Sequence, residues 1–143
     1  LFLSSTIRNL SPNPVELDAL VIDSLISEGD IKIIYKFHPK DSDDFRKEVI
    51  ERYSPDFTCL EFLSYDGPVE NLFGDLGFNG IISYGSSAHL YWLSSQESNK
   101  DCYSYHVFEL INKTTAKSAK KYSFLEKFYN RWMGLVQKFG LHG

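Results

Sequence analysis

Gly85-Ser86-Ser87 stands where the apolar stretch "GFNGIISY" gives way to "SSAHLYWLS". Glycine lets a backbone approach a ligand closely. A serine at the start of a helix leaves neighbouring N–H groups pointing outward. Two hydroxyls with two or three amides at the positive end of a helix make a phosphate site. The plainer alternative is one capping serine and one incidental one. A serine nucleophile is disfavoured, because "GSSAH" lacks the second glycine of a nucleophile elbow and His89 is too near in sequence to act as a triad base.

Two further groups could share that chemistry. His38-Pro39-Lys40 follows the apolar run "IKIIYKF". Pro39 biases His38 towards an extended backbone, and Lys40 adds a cation. An imidazole placed there could donate to a phosphate oxygen or protonate a phosphate leaving group; it could equally close its own loop. Glu70 lies near the start of a short helix after a third apolar stretch. A carboxylate at that position can accept hydrogen bonds from ribose hydroxyls, or simply stabilise the helix N-terminus by ~0.3–1 kcal/mol. No metal is expected, since His38, His89, His106 and His142 share no ligand spacing with acids or thiols. There is neither a Walker A loop nor a GxGxxG.

The elements that must position these groups follow from periodicity. "LFLSS" reads as a short buried strand. Asn13, Pro14 and Glu16 are the N-cap, first residue and capping-box acid of a helix whose apolar face is Leu17, Leu20, Val21 and Leu25, ending at Gly29. Ile31–Phe37 is the clearest strand. "DSDDFRKEVIERY" predicts a helix with an acidic start and a face of Phe45, Val49, Ile50 and Tyr53. "FTCLEFL" is the next strand, and "DGPVENLF" puts Pro68 at the first position of a short helix. "GFNGIISY" is a strand, "SSAHLYWLS" a helix start, and "SYHVFELI" a further strand. A last helix, from about Ser118 to Phe139, carries Phe124, Phe128, Trp132, Leu135 and Phe139 on one face. Strand–helix alternation predicts an α/β fold, a Rossmann-like parallel sheet of five to six strands with helices on both faces. Ligands of such sheets bind at the carboxyl ends of the strands. The alternation therefore predicts one rim for His38-Pro39-Lys40, the stretch Ser64 to Glu70, and Gly85-Ser86-Ser87.

Composition bounds the rest. With 143 residues, 43% hydrophobic and 24% charged, the chain is one ordered domain spanning 1–143 that buries about two-thirds of its unfolded surface. No apolar run approaches the roughly 20 residues that span a bilayer, and no signal peptide is visible. A start at Leu1 without methionine reads as a piece of something longer. Cys59 and Cys102 form neither a CxxC nor a zinc pattern and read as thiols in a reducing compartment, which points to the cytoplasm. Charge is uneven: residues 1–112 carry 8 basic and 18 acidic side chains, residues 113–143 carry 7 basic and 1 acidic. The basic segment suits peripheral contact with an anionic inner membrane face or an acidic acceptor; a solvated helix face is the simpler reading. Nucleic-acid binding is not expected of an acidic chain whose rim is poor in arginine.

"KFHPK" (Lys36–Lys40) followed by "YGSSAHLY" (Tyr84–Tyr91) resembles the HP and SS motifs of bacterial sialyltransferases, nearest to the lipooligosaccharide sialyltransferase and capsule polysialyltransferase groups. The resemblance spans most of the chain. It implies the C-terminal, nucleotide-binding half of a two-domain GT-B glycosyltransferase that transfers from CMP-sialic acid to a cell-surface glycan, with inversion and without a metal or other cofactor. By that resemblance His38 contacts the CMP phosphate and assists its departure, with Pro39 and Lys40 beside it. Gly85, Ser86 and Ser87 bind the same phosphate, and Glu70 holds the ribose. The family's catalytic base belongs to an acid-acid-glycine motif of an N-terminal acceptor domain. This sequence lacks that motif: "YDGPVE" has Asp66-Gly67 without the preceding acid. The 143 residues are therefore expected to bind nucleotide without turnover and to need the missing N-terminal domain as partner. In GT-B enzymes the last helix crosses back to the other domain, so the aromatic face of that helix is expected to be partly uncovered. Two other readings remain at this stage: another GT-B or glycerophosphotransferase-type enzyme of capsule or teichoic polymer synthesis using a CDP-linked donor, and a non-catalytic flavodoxin-like interaction domain.

Overall fold

Local chemistry starts the first long helix. Asn13 Oδ1 accepts from the Glu16 amide at 3.3 Å, Pro14 takes the first helical position, and α1 runs Pro14–Ser27. Gly29 then adopts φ +73°, the left-handed conformation that lets the chain leave a helix. These features belong to a computed structural model that describes residues 1–53, 59–65, 67–95, 102–112 and 120–141. The fold is α/β. Five strands, β1 (Phe2–Leu3), β2 (Ile33–Lys36), β3 (Leu60–Phe62), β4 (Gly80–Ser83) and β5 (Tyr103–His106), form a sheet of order β3-β2-β1-β4-β5. The β1–β2, β2–β3 and β4–β5 pairs are parallel.

The chain divides into two compact units, one of Phe2–Asp66 and one of Gly67–Gly143 with Leu1. In the first unit β2 is central, with Phe2 opposite Tyr35 and Tyr35 opposite Phe62. Its core stacks aromatic rings: Tyr35 meets Phe37 edge-on at 4.9 Å, and Phe37 lies parallel to Phe62 at 5.7 Å. Such pairs contribute ~0.5–1.5 kcal/mol beyond the area they bury. Ser42 caps α2 (Asp43–Tyr53) through the Phe45 amide at 3.1 Å. Val49 and Tyr53 are buried on α2, but Ile50 is 40% exposed. Phe45, Val49 and Tyr53 are spaced by four and share one stripe, and Ile50 falls to its side.

In the second unit a 3-10 turn, Val69–Leu72, leads into α3 (Phe73–Leu76), and Pro68 stands before the turn as its cap rather than in its first position. β4 runs into α4 (Ser87–Ser95). The stretch expected to be a strand through Ile111 changes at His106: β5 ends there and α5 (Val107–Asn112) begins. The cause is a local cap. Glu109 Oε1 accepts from the His106 amide at 3.1 Å, and His106 Nδ1 accepts from the Phe108 amide at 3.1 Å. This is capping-box geometry with histidine in the serine position.

The last helix, α6 (Leu125–Lys138), buries Leu125, Trp132 and Val136, whereas Phe139 is 59% exposed. The buried stripe is rotated from the expected aromatic face, because Phe124 precedes the helix as its N-cap and Phe139 follows it as its C-cap. The expected start near Ser118 lies outside the described residues. Among the described residues no helix is long and apolar enough to cross a membrane. Cys59 and Cys102 are both half-buried thiols.

Candidate functional site

In the first unit, β2 delivers its chain to a loop that ionic contacts hold from beneath. Arg8 is 1% exposed, and its guanidinium lies 3.7 Å over the Phe45 ring. It pairs with the Asp41 carboxylate, and its Nε is 3.8 Å from Asp18 Oδ2. Asp18 is itself buried and accepts from Ser4 Oγ at 2.6 Å and from the Tyr35 hydroxyl. Burial and the Asp18 charge push the Tyr35 phenol well above its ordinary range, so it remains a donor.

The other oxygen of Asp41 reaches the His38 loop. Asp41 Oδ2 accepts from the His38 amide at 2.8 Å, and the Asp41 amide donates to the His38 carbonyl at 2.9 Å. Arg46, from α2, donates to that same carbonyl at 3.1 Å. The Lys40 amide donates to His38 Nδ1 at 3.1 Å. An imidazole nitrogen that accepts carries no proton, so neutral His38 bears its proton on Nε2. Burial lowers the His38 pKa; Asp41 opposes this, and Arg8, Lys36 and Lys40 push it further down. His38 is therefore a neutral N–H donor at neutral pH, surrounded by cations. Lys36 is buried, with Nζ donating to the Phe37 carbonyl at 3.3 Å, while Pro39 and Lys40 are exposed. The end of β2 can thus offer one directed donor and excess positive charge to an anion.

In the second unit, the β4–α4 junction is built on Ser83, which is fully buried. Its Oγ accepts from the Gly85 amide at 3.1 Å and the Ser86 amide at 3.4 Å, and lies 2.6 Å from His89 Nδ1. With two amides directed at Oγ, the hydroxyl proton goes to His89 Nδ1. His89 Nε2–H then donates to Ser104 Oγ at 2.6 Å. Gly85 has φ +91°, and a Cβ there would meet His106 Nε2 and Trp132 Cε3 at 3.4 Å, so the turn requires glycine. Ser86 is the cap: its Oγ accepts from the His89 amide at 3.2 Å. Its hydroxyl proton remains available to be donated. Ser87 is exposed, and the Ser87 and Ala88 amides and the Ser87 hydroxyl have no partner among the described residues.

Replacing Ser83 with alanine would strand two amides and an imidazole nitrogen together. The expected loss is about 3 kcal/mol in urea unfolding, from buried polar groups left unpaired. Ser87→Ala is expected to leave the unfolding midpoint unchanged.

Glu70 sits in the first turn of the Val69–Leu72 segment, half-buried, and its carboxylate makes no hydrogen bond or ion pair among the described residues. That turn packs against α4. Glu70 and Gly85-Ser86-Ser87 thus stand on neighbouring elements of one unit, and His38-Pro39-Lys40 belongs to the other. Of the connecting stretch, Asp66 lies outside the described residues.

The sequence reading passed over Ser83, His106, Arg8, Asp18 and Asp41. His106-x-x-Glu109 carried a capping signal that was legible in principle. Arg8 had none, since a single arginine before a helix does not announce that it will be buried against two carboxylates. His89 is no triad base, because Ser83, and not Ser86 or Ser87, holds its Nδ1. No protein-family model matches this sequence, and no curated protein matches it.

Proposed function

We propose that this chain is the donor-nucleotide half of a GT-B glycosyltransferase similar to the bacterial sialyltransferases, binding CMP-sialic acid for inverting transfer to a cell-surface glycan. The observation that carries the reading is the end of β2. There the HP dipeptide supplies a neutral imidazole with its proton on Nε2, among Arg8, Lys36, Lys40 and Arg46. Departure of CMP develops negative charge on a phosphate oxygen. A preorganised donor aimed at that charge contributes ~10²–10³ in rate. His38 acts as that donor by hydrogen bonding and does not need to carry a second proton.

The β4–α4 turn supports the reading independently. α4 opens with two amides that have no partner among the described residues and two hydroxyl protons, the donor set that a phosphate takes at a helix N-terminus. Glu70, with its carboxylate uncommitted on the neighbouring turn, accepts from ribose hydroxyls. The acceptor and the catalytic base belong to a domain beyond these residues.

Titration of the 143-residue chain with CMP, CDP and UDP, followed by amide NMR, tests the reading. CMP is expected to shift amides at Lys36–Lys40, Glu70 and Gly85–Ala88 at lower concentration than CDP or UDP does. A preference for a diphosphate would move the reading to a CDP-linked donor. No shift with millimolar CMP would overturn it.

A further inference from the structure

The resemblance singles out His38 but says nothing of what holds it. Four contacts converge on that residue, and three involve Asp41 or its neighbours. The Asp41 carboxylate takes the His38 amide, the Asp41 amide takes the His38 carbonyl, and the Lys40 amide takes Nδ1. Arg46 closes the set on the carbonyl. Asp41 is held in turn by Arg8, and both side chains are essentially without solvent exposure. A buried ion pair is weak evidence for stability, since desolvation offsets most of its attraction. It does fix geometry, because neither partner can move without stranding a charge. An arginine and an aspartate buried beneath a loop whose Pro39 and Lys40 are exposed call for a reason, and the loop's histidine supplies one.

We propose that Asp41, anchored by Arg8, is a positioning residue that locks the His38 loop so that the imidazole presents Nε2–H, and no second proton, to the donor phosphate. The proposal rests on the nucleotide-binding reading for its ligand, but the lock itself is a property of the loop. By clamping His38 at its amide and carbonyl, Asp41 fixes the turn in which the Lys40 amide reaches Nδ1. Protonating Nδ1 would set two N–H groups against each other and break that contact. The charged groups facing His38 are Asp41, Arg8, Lys36 and Lys40, with Arg46 on its carbonyl from α2. Asp41 is the one anion among them. It makes two contributions that can be separated: an acceptor for the His38 amide, and a charge that favours imidazolium.

Long-range ¹H–¹⁵N spectra of the histidine rings, recorded on the full chain across pH, test this. Wild type is expected to show His38 as the Nε2–H tautomer. Asp41→Asn removes the charge and leaves one acceptor oxygen where Arg8 and the His38 amide each had one, so the titration midpoint should fall. Asp41→Ala removes both and should give a mixed tautomer, with CMP affinity lower by roughly ten- to a hundredfold, as expected for a misplaced contact. A wild-type His38 that is mixed or carries its proton on Nδ1 overturns the proposal. So does a folded Asp41→Ala chain with an unchanged tautomer, or an Asp41→Asn chain whose midpoint does not move. Should Asp41→Ala fail to fold, the wild-type and Asp41→Asn spectra still decide. Should the spectra come out as expected while wild type ignores CMP, the lock stands and the nucleotide reading falls.

Discussion

His38→Ala is expected to weaken CMP binding about ten- to a hundredfold at fixed ionic strength. A hydrogen bond to a charged group contributes ~1.5–3 kcal/mol, and each 1.4 kcal/mol is about tenfold in affinity. The donor that is lost is directed, because Nδ1 is occupied by the Lys40 amide and only Nε2 can face a ligand with a proton. Lys40→Ala removes an exposed point charge instead. Its effect should be smaller and should shrink as salt is raised. The two variants thus separate a directed donor from a diffuse field. Because burial and cations lower the His38 pKa, the difference in affinity between wild type and His38→Ala should show no step near pH 6.5, the ordinary histidine value; taking the difference cancels the titration of the CMP phosphate itself, at about pH 6. Isothermal titration from pH 8 to pH 6 reads both effects. Equal affinities for wild type and His38→Ala would leave His38 as a loop residue only.

The parts of the site that were legible in the sequence are those set by local chemistry. Asn13-Pro14 and the acidic start of α2 place helix ends because capping is decided within four residues. Strand–helix alternation gives a parallel sheet because it leaves few other ways to bury the apolar faces. His38-Pro39 and Gly85-Ser86-Ser87 stand at strand ends for the same reason. What sequence could not give is what lies beneath them. Arg8 meets Asp41 across 33 residues, and Ser104 meets His89 across 15. Neither partner has a periodicity that marks it. Residues 104–111 show the converse failure: "SYHVFELI" has strand composition throughout, and one side chain, Glu109, turns its second half into a helix by capping the His106 amide. The aromatic face of the last helix was misplaced because its end residues, Phe124 and Phe139, proved to be caps and not members of the stripe.

Acid is expected to destabilise the second unit from about pH 6.5 downward, beginning above the range in which carboxylates titrate. Burial is the main cause that lowers His89 to about 3, with His106 adding to it, and burial lowers His106 to about 4. A backbone hydrogen bond with Tyr84 pulls His106 the other way and is outweighed. Above pH 6.5 both rings are neutral whether the chain is folded or not, and their contribution is fully present. Below it the unfolded chain takes up protons that the folded chain refuses. Stability then falls by ~1.4 kcal/mol per pH unit for each histidine. The loss runs from pH 6.5 down to about 4 for both and on towards 3 for His89. Between pH 6.5 and 4 it is on the order of 5 kcal/mol, comparable to the whole stability of many domains. The chain's two tryptophans, Trp92 and Trp132, both lie in this unit, so their fluorescence in urea reports it alone. His89→Gln should lower stability at pH 7, because Ser83 and Ser104 lose their bridge, and should also make the urea midpoint fall about half as steeply with pH. The second effect is the decisive one: a variant that is merely less stable keeps the wild-type slope, and only removal of a proton-refusing ring flattens it.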